Sequence, residues 1–118
     1  MYRVEYFWKD KLTSLITIDN KKVYVENYTD DWVITAFGKL KNPTLEDYYN
    51  FLEDRCFPRD RFNCKELLKS IGLDYYEPLW ITQLTHGVIQ GDFNWLRFDD
   101  QKDITWEKDI LPMYDSCK

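Results

Sequence analysis

The residues of this chain best suited to chemistry lie in one central segment, residues 51–98. Three of the five arginines of the chain, Arg55, Arg59 and Arg61, fall there within seven residues, around Pro58. The planar guanidinium of arginine binds a carboxylate or a phosphate through two parallel hydrogen bonds, and a proline stiffens the loop that presents it. The cluster predicts either an internal ion-pair clamp or a surface that contacts a charged partner.

We expect the three arginines to divide between these two roles. Arg55 and Arg61 are predicted to be structural and to tie the helix–loop–helix junction together, with Asp92 as the far end of the clamp. The other carboxylates within reach in sequence are Glu53, Asp54 and Asp60. Arg59 lies midway in the stiff loop and is predicted to point outward, towards a partner.

A second cluster of functional interest is aromatic. Tyr75 and Tyr76 precede Pro78 and Trp80. Tyrosine and tryptophan combine an apolar ring with a polar edge, so they suit either a packed helix start or an exposed protein-binding patch. Together with Arg59, these three aromatic residues are the predicted partner-binding residues.

A catalytic centre is not expected, although Cys64, His86 and Asp92 have the side chains of a cysteine hydrolase. His86 is the only histidine, and it precedes Gly87 at a predicted helix end, where a cation commonly satisfies terminal carbonyls. Cys64 opens a helix with an apolar, core-like face. We therefore predict a protein that is not an enzyme.

No metal or cofactor is predicted either. The three cysteines, Cys56, Cys64 and Cys117, form an odd set without zinc-type spacing. The four glycines form no phosphate-binding loop. Free thiols and the lack of a leader sequence favour a reduced, cytoplasmic location.

The charge of the chain indicates what kind of partner it has. The net charge is −5 at pH 7, and residues 99–118 hold six acids against three bases. This balance argues against direct binding to nucleic acid and leaves a protein as the expected partner. An acidic surface could also dock on a basic groove, as a nucleic-acid mimic does. No apolar run approaches membrane-spanning length, so no membrane contact is expected.

The elements that must position these residues begin with residues 1–28, which alternate between apolar and polar side chains. Tyr2, Val4, Tyr6 and Trp8 share one face of the first strand. Two short polar turns divide the segment, which predicts a three-stranded antiparallel meander. Residues 30–37 could form either a short helix or a strand.

A helical part is predicted over residues 44–85. Thr44 and Asp47 have the spacing of a capping box, and we expect three helices. A last strand follows at 93–98, and then an acidic tail, 99–118, with Trp106 and Ile110 as its anchors. The whole chain, 1–118, is predicted to be one α+β domain whose small antiparallel sheet is covered on one face by helices.

Single residues spaced across about half of the chain resemble a known family. They follow an R-x₂-P-x₂-R pattern and continue to the first tryptophan of the tail: Arg55, Pro58, Arg61, Leu68, Gly72, Leu84, Gly87, Asp92, Trp95 and Trp106. The pattern resembles the N-terminal segment of HipA-like kinases of Gram-positive bacteria and is similar to small mobile-element proteins of gut bacteria. The catalytic part of those kinases has no counterpart here, so the resemblance implies an accessory module from a mobile element rather than kinase activity.

Two functions fit these observations. The first is a non-catalytic binding protein that inhibits a bacterial defence system, as an anti-CRISPR protein does. The second, which the resemblance implies, is an accessory or regulatory module of a toxin–antitoxin system. The identity of the target cannot be read from the sequence.

Overall fold

A computed structural model describes residues 1–40, 42–60, 62–89 and 92–116. Its centre is a four-stranded antiparallel sheet in the order β3-β2-β1-β4. The strands are β1 (Tyr2–Trp8), β2 (Lys11–Asp19), β3 (Lys22–Asn27) and β4 (Asn94–Phe98). The helices are α1 (Leu45–Asp54), α2 (Cys64–Ser70), α3 (Pro78–Thr85) and α4 (Leu111–Ser116). The predicted α+β class, the N-terminal meander and the late strand are confirmed.

The turns of the meander explain its tight connections. Asn20 and Lys21 join β2 to β3 with φ angles of 50° and 67°. Positive φ at both central residues is the geometry of a two-residue hairpin turn whose twist matches the flanking strands. Lys9, between β1 and β2, also has a positive φ, of 52°.

The main core lies between one face of the sheet and α1. Thr44 and Asp47 form the predicted capping box at the start of this helix, with reciprocal side-chain to backbone bonds. Three apolar residues of this helix are buried, Tyr48, Phe51 and Leu52, and Leu45 packs half-buried beside them. They pack against the inward-facing residues of the strands, which include Val4, Tyr6, Ile16, Ile18, Leu96 and Phe98.

The second face of the sheet also carries a layer, whereas a cover on one face only was expected. Phe7 and Trp95 stack across β1 and β4 with ring centroids 4.5 Å apart. A π-helical turn, Trp106–Ile110, covers them, and its two end residues are buried. The predicted anchors of the tail are therefore confirmed, and both faces of β1 bury side chains.

Residues 30–37 form neither the α-helix nor the strand considered above. They contain a single 3₁₀ turn, Trp32–Ile34, which the Asp31 carboxylate caps by accepting from the Val33 amide. The backbone carbonyl of Ile34 accepts a 2.7 Å hydrogen bond from the buried Thr13 hydroxyl. Such tertiary bonds hold the segment in an irregular path that local propensity did not indicate.

Helices α2 and α3 form a third, smaller cluster with the residues that follow α1. Cys56, Leu68 and Ile81 are its buried members, with Phe57 and Tyr76 among the half-buried side chains packed on them. This cluster positions the loop that carries Arg59. No helix in the described ranges is long and apolar enough to cross a membrane.

Candidate protein-binding surface

Arg55 is the structural centre of the helical part. Its side chain is buried at the end of α1, and it donates to the Asp92 carboxylate through both terminal nitrogens, at 2.8 and 3.0 Å. It also donates to the carbonyls of Gly87 and Asn94, at 2.9 and 2.8 Å. These bonds run from α1 to the connection between α3 and β4, where Asp92 lies.

The turn after α3 is shaped to receive this arginine. His86 and Gly87 both have a left-handed backbone, with φ angles of 58° and 65°. A Cβ atom at Gly87 would lie 3.0 Å from Leu96 Cδ1 and 3.3 Å from Arg55 Cβ. A residue without a side chain is therefore required both by the backbone and by the close approach.

Arg59 lies on the outside of the same region. Its side chain is 64% exposed and stacks over the Tyr76 ring, with the guanidinium carbon 4.6 Å from the ring centroid. It also lies 3.4 Å from a Glu53 oxygen, in an exposed ion pair. Tyr76 is half-buried beneath it and donates its hydroxyl to the Phe57 carbonyl at 2.7 Å. Tyr76 thus supports Arg59 more than it offers a contact surface of its own.

Tyr75 and Trp80 form an exposed aromatic pair. Their ring centroids are 5.2 Å apart, and the residues are 56% and 42% exposed. Leu84, one helical turn further along α3, is also exposed. We refer to Arg59, Tyr75, Trp80 and Leu84 as the α3 aromatic surface.

Sequence reasoning missed two exposed apolar residues in this part of the chain. Leu84 could have been found from its spacing of four from Trp80, which places both side chains on one side of a helix. Phe62, in the loop before α2, is 97% exposed. Its sequence context contains no signal that distinguishes it from a core residue. Arg61, the other predicted clamp residue, lies outside the described residues.

Acidic residues neighbour members of the α3 aromatic surface in sequence. Asp60 adjoins Arg59, Asp74 adjoins Tyr75, and the Glu77 carboxylate caps α3 by accepting from the Leu79 amide. Both aspartates are exposed. The α3 aromatic surface therefore has three acidic residues next to it in sequence, which we call its acidic rim.

The side chains that could make a hydrolase have separate surroundings. Cys64 packs in the cluster of Cys56, Leu68 and Ile81. The His86 environment is instead formed by Leu96, Gln101 and Asp109, and burial lowers the pKa of the imidazole. Its Nδ1 atom is buried and has no hydrogen-bond partner among the described residues. Asp92 is engaged with Arg55.

The buried thiol of Cys56 is also a poor nucleophile. Its sulfur donates to the Leu52 carbonyl at 3.2 Å, and burial raises its pKa to about 12. Because the thiolate is the reactive form, this thiol is held in its unreactive state at neutral pH. Within the described part of the chain, no cluster of three His, Cys, Asp or Glu side chains has the arrangement of a metal site.

Comparisons with known proteins add no further assignment. The chain matches no protein-family model, no curated protein and no solved structure.

Proposed function

We propose that this protein is a non-catalytic binding module that acts by occupying another protein through its α3 aromatic surface. The observation that carries this proposal is the exposed pair of Tyr75 and Trp80, with ring centroids 5.2 Å apart, together with the exposed Arg59 stacked on Tyr76, the next residue after Tyr75. Tyrosine, tryptophan and arginine are the residue types enriched at the energetic centres of protein interfaces. The proposal includes no turnover of a substrate.

The surface is preorganised for binding. Tyr76 is anchored to the Phe57 carbonyl and carries Arg59 on its ring, while Pro78 opens α3 two residues before Trp80. The side chains would therefore lose little conformational freedom on association, and less of the interaction energy is spent on ordering them. Burying the exposed rings against an apolar pocket supplies the driving force.

The charge of the rim selects the partner. Asp60, Asp74 and Glu77 favour a target with basic residues around an apolar pocket. Many proteins that handle nucleic acids have such basic grooves. An inhibitor of a bacterial defence system, such as an anti-CRISPR protein, is the version of the proposal that agrees with the net charge of −5 and with the resemblance to mobile-element proteins.

A matched pair of tryptophan variants tests the proposal. Trp80 and Trp32 are 42% and 51% exposed, and they lie on different elements. Tagged wild-type protein, Trp80→Ala and Trp32→Ala are used to capture partners from a bacterial lysate, with the folding of each checked by thermal melting. We expect Trp80→Ala to lose the captured partner at unchanged stability and Trp32→Ala to retain it. Equal capture by all three proteins would refute the proposed surface.

The alternative is an accessory module of a toxin–antitoxin system. In its favour, several residues of the kinase-like pattern form one physical network, since Arg55 bonds to both Gly87 and Asp92. A shared network of this kind would preserve a scaffold, so on this alternative the resemblance would extend to the module and not to a reaction. Co-purification with a kinase-type toxin, unaffected by Trp80→Ala, would favour this alternative.

A further inference from the structure

Strand β3 forms an open edge of the sheet. It pairs with β2 on one side, and the sheet order places no described strand on the other. Asp19 and Lys22 flank the two-residue turn and therefore form a hydrogen-bonded pair of the antiparallel ladder. Such pairs recur at every second residue, and the Tyr28 amide accordingly donates to the Thr13 carbonyl. Even-numbered residues of β3 thus bond to β2, while the amides and carbonyls of Val23 and Val25 point outward.

The opposite edge of the sheet is not open in this way. The outward amide of Leu96 in β4 donates to the His86 carbonyl at 2.7 Å, and the Asn94 carbonyl accepts from Arg55. β3 carries no such cover among the described residues, and its ladder with β2 runs without a bulge. Proline, bulges and inward-pointing charges are among the devices that block an edge strand, and β3 has none of these three; its charged residues, Lys22 and Glu26, lie on the outer face.

The sequence of β3 is complementary to itself. It reads Lys22-Val23-Tyr24-Val25-Glu26, with opposite charges at equal distances from a central tyrosine. In an antiparallel pair of two copies centred on Tyr24, each Lys22 lies opposite the Glu26 of the other copy. Val23 then lies opposite Val25, and the outward amides and carbonyls of both valines bond across the pair.

We propose that β3 is a homodimer interface, through which two copies of this chain join their sheets into one antiparallel sheet of eight strands. The hydrogen-bond phase and the charge pattern select the same register independently. A register shifted by one residue would place residues whose backbone groups bond to β2 opposite residues whose backbone groups point outward. A register shifted by two residues would move Lys22 away from Glu26 of the other copy.

The side chains agree with this register on both faces. Lys22, Tyr24 and Glu26 are exposed on the outer face, where Tyr24 is 55% exposed and would meet its own counterpart. Glu26 is exposed, and its carboxylate has acceptor positions for the lysine of the second copy.

The inner face provides a place for the incoming valine. A cleft of about 440 Å³ lies beside the edge, lined by Val25, Asn27, Gly38, Lys39 and Leu40. In the proposed register, Val23 of the second copy lies opposite Val25 and so projects towards this cleft. Half-buried Val25 and exposed Leu40 would both be covered by it.

Dimerisation through β3 would leave the α3 aromatic surface free. α3 packs against β4, at the other edge of the sheet. The inference does not depend on the proposed function, but the two together describe a bivalent binder with one aromatic surface at each end. A pairing of two short strands buries less area than a standard interface, so the dimer is expected to be weak and concentration-dependent.

Charge variants of β3 test the inference by sedimentation equilibrium over the micromolar to millimolar range. Glu26→Lys places Lys22 against a lysine in both pairs, and we expect dimerisation at least about tenfold weaker. Lys22→Glu should weaken it similarly. The double variant Lys22→Glu/Glu26→Lys restores both opposite-charge pairs and should dimerise like the wild type, and so should an equal mixture of the two single variants. Glu107→Lys, an equal charge change at an exposed residue outside the sheet, is the control.

A backbone variant separates this interface from other contacts. Val25→Pro removes an outward amide, which an edge strand tolerates, and should abolish the dimer, while the monomer should still fold with a lower melting temperature because Val25 also packs against the core. If that variant does not fold, the double charge swap still decides. A monomeric wild-type protein at all concentrations would overturn the inference, as would a dimer that survives both Glu26→Lys and Val25→Pro.

Discussion

Arg55 and Asp92 form a bidentate ion pair between residues 37 positions apart in the chain, with N–O distances of 2.8 and 3.0 Å. The arginine side chain is 6% exposed and the aspartate side chain 35%. The pair therefore joins the end of α1 to the start of the last strand at the border between core and solvent. Through its bonds to Asp92 and Gly87, Arg55 connects α1 to the turn after α3, the helix that carries Trp80 and Leu84 of the α3 aromatic surface.

The first prediction concerns this pair. Arg55→Ala should lower the free energy of unfolding by on the order of 3 kcal/mol, because it removes a buried charge partner and leaves the carbonyls of Gly87 and Asn94 without their donor. Urea denaturation followed by circular dichroism measures the loss. Arg59→Ala is the matched control, and its exposed pair with Glu53 should contribute only about 0–1 kcal/mol. Equal losses for both variants would contradict the structural role of Arg55.

The second prediction separates two requirements for glycine. Gly72 and Gly87 have positive φ angles of 83° and 65°, but a Cβ at Gly72 would meet nothing within 4 Å. Gly72→Ala should therefore cost only the backbone strain, about 1–2 kcal/mol. Gly87→Ala should cost clearly more, because its Cβ would also press on Leu96 and Arg55. Thermal melting of the two variants makes the comparison, and a smaller loss for Gly87→Ala would contradict this packing.

The third prediction concerns acid stability. Glu5 lies on the outer face of the sheet, bonded to Arg97 at 3.0 and 3.2 Å and to Lys102 at 3.0 Å. Burial alone would raise the pKa of this carboxyl, but the bonds and charges of Arg97 and Lys102 outweigh burial, so its pKa lies below the usual 4.5. A carboxyl whose pKa is lower in the folded than in the unfolded protein stabilises the fold at pH values above its pKa in the unfolded protein. This stabilisation is lost as the pH falls through its pKa in the folded protein.

Glu5→Gln should therefore be less stable than the wild type at neutral pH, and the two should converge as the solution is acidified below pH 4.5. Urea unfolding at a series of pH values measures both curves. Glu107→Gln changes an exposed acid and should follow the wild type throughout. A gap between Glu5→Gln and wild type that stays constant down to the most acidic solution would contradict the ion-pair origin of the effect.

The fourth prediction addresses catalysis. Cys64 and His86 contact different parts of the core, so neither is expected to act on a substrate. Cys64→Ser and His86→Gln should leave any cellular activity within a few-fold of the wild type. A loss above about a hundredfold in a folded variant would be the scale of a catalytic group and would show that the protein is an enzyme.

Local sequence signals were sufficient for most of the elements. Alternation of apolar and polar residues predicted the meander, and the spacing of Thr44 and Asp47 predicted the start of α1, because both patterns act between residues close in the chain. Pro78 and the Gly87 turn likewise bounded α3. The aromatic residues of the later site were also visible, although their exposure was not.

Tertiary structure decided the rest, because those features depend on partners far apart in sequence. Trp32–Ile34 became a 3₁₀ turn because Thr13 bonds to the Ile34 carbonyl across 21 residues, a contact without a local signature. The layer of Trp106 and Ile110 over Phe7 exists because the tail folds back on the second face of the sheet. The sequence by itself determined which segments are strands and helices. The packing of those segments determined that Arg55 is buried, that Tyr75 and Trp80 are exposed, and that β3 is an edge.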